Sequence, residues 1–204
     1  MCLRSTRPGA AGTGRFDAGG TIAAMDAFHY NYRFLAQYNQ WFNARLLDAC
    51  ERLTDAQRKQ ERGAFFGSIH HTLNHLVVGD QVWLKRFRQC GLDQGWQAPS
   101  LDDAVLDQPP GTTLKSVLFE DWAMLRAKRV QLDIAILQWA TDLPDGFAQF
   151  TMHYANSAGV QRVHPAWQAM THFFNHQTHH RGQVTTLLMQ AGVDPGVTDL
   201  IALV

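Results

Sequence analysis

Cysteine is scarce in this sequence, and the few present form no pattern. There are three, Cys2, Cys50 and Cys90, in 204 residues. An odd, widely spaced set without CxxC argues against a disulfide framework and against a thiolate zinc site. It fits a reducing cytoplasm, with Cys50 and Cys90 as small apolar fillers near helix ends. Net charge is missing too, since 18 Lys and Arg balance 18 Asp and Glu. With no long basic run, nothing supplies the field that draws in nucleic acid or anionic lipid. No apolar stretch is long enough to span a bilayer. A Gly-rich phosphate loop, a nucleophile elbow and an HExxH motif are all absent. The expected partner is therefore a small molecule rather than nucleic acid or a membrane.

What remains is a neutral chain with 46% hydrophobic residues, enough to bury one substantial core. Residues 1–24 stand apart, rich in Gly and Ala and without a helical period. They lack the apolar middle of a secretory signal. Met25 directly precedes the first periodic segment, so 1–24 reads as a disordered leader or a mis-assigned start, and 25–204 as the domain.

Four segments carry a helical period. The first spans about Ala27 to Leu53, with Tyr32, Leu35, Phe42, Leu46, Ala49 and Leu53 on one seam and a polar linker after it. The second runs from an N-cap at Ser68 to about Cys90, with Gly91 expected as a left-handed C-terminal residue. Ile69, Leu73, Leu76, Trp83 and Phe87 form its main stripe, and Val77, Val78 and Val82 widen it. Asp80 falls within that stripe, where a carboxylate needs a partner such as Asn39, a Trp or an Arg. After a loop over 91–111, the third helix is expected from Thr112 or Thr113 to about Ala140. Residues 147–163 alternate with a period of two around Asn156-Ser157-Ala158-Gly159, which reads as a β-hairpin. The fourth helix begins near Pro165 and ends before Gly192, and the tail adds a short helical turn. The expected fold is all-α, a four-helix bundle with a short hairpin before the last long helix.

Seven of the ten histidines fall in two clusters. His70, His71 and His75 lie on the second helix, and His172, His176, His179 and His180 on the fourth. Positions four apart on a helix share a face. His172, His176 and His180 therefore align, on the face that also carries Ala169, Phe173 and Leu187 and so points inward. Two imidazoles at this spacing can each place a nitrogen on a shared ion, at about 2.0–2.1 Å. One HxxxH pair also arises by chance on an exposed helix, so a third ligand from another element is required. Geometry leaves His71 and His75 as alternatives. Three protein ligands leave a coordination position for water or substrate. Imidazole suits Zn, Ni, Fe or Cu alike. Gln183 lies near His176 on the helical wheel, so its amide is expected in the same cavity and makes it the candidate catalytic residue.

Three stretches carry a family resemblance: YNQWFNARLLDA in the first helix, SIHHTLNHLVVGDQVWLKRF in the second and HFFNHQTHHRGQVTTLL in the fourth. From Met25 onward the chain resembles the DinB family of damage-inducible proteins, which includes YfiT-like metal enzymes. The resemblance implies an up-down-down-up bundle, often a homodimer, holding a divalent metal by three histidines. Carried over by motif, these are His75, His176 and His180, with His172 matching the motif without being implied as a ligand. It further implies a metal-dependent enzyme, with Zn, Ni or Fe as the ion. A thiol S-transferase using a low-molecular-weight thiol such as mycothiol or bacillithiol is the leading form. A metal-dependent hydrolase and a non-catalytic metal-binding stress-response protein are the alternatives.

Overall fold

A computed structural model describes residues 27–204, so the expectation for 1–24 lies outside the described residues. Four long helices form the bundle: α1 (Ala27–Glu51), α3 (Ile69–Asp93), α5 (Trp122–Asp142) and α6 (Ala166–Gln190). Two short helices, α2 (Asp55–Lys59) and α4 (Asp103–Leu106), interrupt the connections, and the tail ends in a 3-10 turn at Leu200–Leu203. α1 packs chiefly on α5 and α6, and α3 packs on the same two. The expected seam of α1 is buried at Tyr32, Phe42, Leu46 and Ala49. No helix among the described residues is long and apolar enough to cross a membrane.

The expected hairpin forms, but it starts at Thr151 rather than Phe147, because Phe147–Gln149 make a 3-10 turn, and it extends to Pro165. β1 (Thr151–Ala155) pairs antiparallel with β2 (Gln161–Pro165), from Thr151 opposite Pro165 to Ala155 opposite Gln161. Asn156 closes the turn by accepting from the backbone N–H groups of Ala158 and Val160 at 3.0 Å each. Pro165 then sits in extended conformation at the N-cap of α6, where its missing N–H costs nothing.

Three boundaries differ from the sequence reading, each for a local reason. α3 does not stop at Gly91 but continues to Asp93, and the left-handed glycine is Gly95 at φ 76°. Gly91 serves close packing instead, because a Cβ there would lie 2.7 Å from the Trp96 ring. The polar linker after α1 contains α2, capped by a reciprocal pair in which Thr54 and Gln57 each satisfy the other's backbone N–H. The third correction matters most for function. α5 begins at Trp122, capped by Asp121, and not at Thr112 or Thr113. Residues 107–121 form an irregular strap across α3. The buried Asn74 supplies the bonds a helix would have made: its carbonyl accepts from Leu118 and Phe119 N–H at 2.9 Å, and its amide donates to Phe119 O at 3.2 Å.

A buried polar network joins the four long helices. Arg129 on α5 reaches Asp80 on α3 at 2.5 Å and Asp133 at 2.9 Å. Asn39 and Asn43 of α1 donate to Asp133 at 2.9 and 2.8 Å. From α6, Gln177 donates to Asp80 at 3.0 Å and Arg181 donates to Asn39. Two carboxylates and two guanidinium groups make the buried set neutral in sum: Arg129 pairs with both carboxylates, and Arg181 donates to Asn39 and Thr178. Of the partners open to Asp80, Asn39, a Trp or an Arg, the structure gives an arginine, Arg129. Gln177 and Arg181 each follow a candidate ligand, so the contacts that lock α6 in register also set His176 and His180.

Candidate metal centre

His75, His176 and His180 come together in a group whose nitrogens lie within 4.8 Å of one another, an arrangement that could hold a metal ion. His71, the rival to His75, is exposed on α3 and lies outside the group. His75 sits toward Val78, on the second apolar side of α3, and is buried. His70 is buried as well, but away from the cluster. His172 departs from the inward face expected for it. It is exposed and packs on Trp83, its ring centroid 5.9 Å from that of His176.

The hydrogen bonds determine which nitrogens converge. The Leu114 carbonyl of the strap can only accept, so His75 Nδ1 donates to it at 2.8 Å, leaving a lone pair on Nε2. His75 Nε2 lies 3.1 Å from His176 Nε2. Two nitrogens at tetrahedral positions around a shared zinc would be separated by about 3.3 Å. His180 Nδ1 meets Gln183 Oε1 at 2.8 Å, so Nε2 is the nitrogen it has left for the cluster. A ligating histidine is held by the partner of its other nitrogen, and the Leu114 carbonyl and Gln183 fill that role for His75 and His180. His176 Nδ1 is buried without a partner among the described residues. Packing holds this ring instead: a Cβ on Gly79 would lie 3.1 Å from His176 Cε1, so α3 has room for the imidazole because it carries glycine there.

The cluster is electrically suited to a cation. Burial, then the neighbouring imidazoles, pulls His176 down to about 3. Burial also pulls His180 down to about 4 against the raising effect of Gln183, and lowers His75. All three rings are therefore neutral at pH 7, the form that binds a metal without first losing a proton. The Phe66 ring stacks on His75 with centroids 3.9 Å apart and meets His180 edge-on at 5.4 Å, covering one side of the group.

Beside His176 opens a cleft of about 910 Å³. Val78, Val82 and Trp83 of α3 form its apolar floor, with the strap residues Thr112 to Lys115 on one side and Tyr154 of the hairpin on another. Gln183 does not line this cleft. It faces a separate depression of about 360 Å³ together with His179, and its amide also bonds the His179 ring at 3.2 Å. The helical wheel put its amide in the cavity beside His176; the side chain instead bonds the His180 and His179 rings. Sequence reasoning missed the Leu114 carbonyl, Asn74, Gly79 and Phe66. Of these only Gly79, a glycine in the middle of a strongly periodic helix, left a visible sign.

The sequence model of the DinB family matches residues 25–203. Protein DinB of Bacillus subtilis (strain 168) is 27% identical over 166 residues, covering 81% of this chain and 88% of its own length. The match spans every element that builds the histidine cluster, from the start of α1 through the 3-10 turn at the tail, and the chain belongs to the DinB family.

Proposed function

We propose that this protein is a metal-dependent enzyme acting on a small molecule, and that its reaction is the transfer of a low-molecular-weight thiol to an electrophile. One observation carries the reading. Three neutral imidazoles converge beside a cleft of about 910 Å³, and no fourth ligating side chain joins them among the described residues. A purely structural or storage site would close the coordination sphere with protein and needs no adjoining cavity. Zinc suits the donor set, with nickel or iron as alternatives. When bound, the ion would supply Lewis acidity, lowering the pKa of a thiol or a water that joins it.

The chain's own residues divide the remaining work. His75, His176 and His180 hold the ion, while Leu114 and Gln183 fix two of the rings. Phe66 and the strap keep bulk water from that side, and the apolar floor of Val78, Val82 and Trp83 receives the body of the substrate. No carboxylate lines the cleft. A thiol that has lost its proton to solvent displaces a stable anionic leaving group without further proton transfer, whereas hydrolysis must still deliver a proton to its leaving group. This favours thiol transfer over the hydrolytic reading, which would have to use His172.

The test is conjugation of monobromobimane with cysteine, glutathione, bacillithiol and mycothiol by zinc-loaded protein. Thiol transfer predicts a rate above the uncatalysed one with at least one thiol, lost together with bound zinc in His176→Ala. Background rates with every thiol, from protein shown to carry zinc, would overturn the transferase assignment.

A further inference from the structure

Arg86 carries a charge that nothing acidic answers. Its guanidinium sits over the edge-to-face pair of Trp83 and Tyr154 rings, at 4.6 and 4.5 Å from their centroids, and donates to Ala155 O at 3.0 Å. The side chain is partly buried and lines the cleft, and burial lowers its pKa with no carboxylate opposing the shift. Arg129 pairs with Asp80 and Asp133, Arg88 with Asp103 and Arg126 with Asp48, whereas Arg181, which like Arg86 rests on rings without an ion pair, is sealed in the core; Arg86 faces the cleft. Among the described residues neither Arg86 nor Lys115, the second cation of the cleft, has a carboxylate within ion-pair distance, and the cleft lining contains no acid.

Position on the helix gives the arrangement a length. Gly79, against which His176 rests, and Arg86 are seven residues apart on α3. Seven residues are about two turns, so both face the same way, about 10 Å apart along the axis. One end of the cleft is thus the histidine cluster and the other is a held cation, with the apolar floor between them.

We propose that Arg86, assisted by Lys115, is a specificity-determining residue that binds an anionic head group, carboxylate or phosphate, of the substrate, at the end of the cleft about two helical turns along α3 from Gly79. A guanidinium held over two aromatic rings and tied to a backbone carbonyl is pre-organised, and it presents its remaining N–H donors in the planar fork that suits either oxyanion. The substrate class that follows is an elongated molecule with an apolar middle and an anion at the end away from the reacting group. This deepens the proposed function and rests on it for the location of the reacting end.

The experiment is a ligand-detected NMR titration of the full-length protein with 5-phenylvalerate, phenyl phosphate and the neutral 5-phenylvaleramide, with zinc content measured on the same samples. An anion subsite predicts that one of the two anions binds about tenfold more tightly than the amide, roughly the value of one charge-assisted hydrogen bond. The better anion identifies carboxylate or phosphate as the natural head group. The preference disappears in Arg86→Gln and is partly kept in Arg86→Lys, with zinc content unchanged in both. If Arg86 only pins the hairpin to α3, wild-type protein binds amide and anions equally. That result, or no binding of any probe, overturns the proposal without reference to any variant's folding. Loss of zinc from wild type with the anion preference intact would instead remove the proposed function and leave the subsite standing.

Discussion

Asn74→Ala tests whether the strap holds the metal centre or merely passes over it. Asn74 is fully buried and ties the strap to α3 through three hydrogen bonds, two accepted from Leu118 and Phe119 N–H and one donated to Phe119 O. At about 1 kcal/mol for each bond lost, the substitution destabilises by roughly 2–3 kcal/mol. For a domain of this size that lowers the thermal midpoint by roughly 5–10 °C. The second effect is the informative one. A loosened strap withdraws the Leu114 carbonyl from His75 Nδ1, and loss of such an outer partner weakens metal binding by about 10- to 100-fold. Zinc affinity measured by chelator competition, beside a thermal melt, reads both. Asn74→Asp, which buries a carboxylate against the His70 and Phe119 carbonyls, is expected to destabilise at least as much as Asn74→Ala. A lowered midpoint with unchanged zinc affinity would refute the claim that the strap orients His75.

Three further predictions address the bundle and the rings. Gly79→Ala brings a Cβ to 3.1 Å from His176 Cε1, while replacing a helical glycine favours the helix by about 1 kcal/mol. The melt should hardly move while zinc affinity falls; unchanged affinity would mean that His176 yields freely. Arg129→Met strands Asp80 and Asp133 in the core and should cost about 3–5 kcal/mol in a urea titration. A loss under about 1 kcal/mol would show that the network adds nothing. The third concerns pH. His176 and His180 have folded pKa values lowered to about 3 and about 4, so between the unfolded value near 6.5 and those values the unfolded chain binds more protons. The stability of the metal-free protein associated with these rings is therefore full above pH 6.5 and declines as the pH falls toward 3. His176→Ala should show a shallower decline over that range; an identical slope would contradict the burial of a neutral ring.

Much of the site was legible because helical spacing is a strong constraint. The i,i+4 relation of His176 and His180 required only that 166–190 be helical, and the seam of α1 and the cap at Ser68 required only local pattern. The choice between His71 and His75 was not legible from spacing, since both lie on α3 near its N-terminus. It depends on which side of α3 meets α6. The resemblance named His75, and the structure buries it and exposes His71. The strap misled the pattern because Leu114, Leu118 and Trp122 recur at helical intervals without forming one helix. A buried asparagine on another element satisfies that backbone, and nothing within 107–121 announces it. Asp80 was better behaved: a carboxylate in an apolar stripe predicts a partner by its cost alone. Trp83 was assigned to the same stripe, yet it is partly exposed and forms part of the cleft floor, because α3 faces the core on one side and the cavity on another.

The most direct test of the central claim is a crystal structure of zinc-loaded protein with the ion located by anomalous scattering at the zinc edge. The expected result is one zinc bound at about 2.0–2.1 Å by nitrogens of His75, His176 and His180, with the remaining coordination filled by solvent on the side of the cleft. Zinc found elsewhere, or held at this site by four protein ligands with none left for solvent, would contradict it.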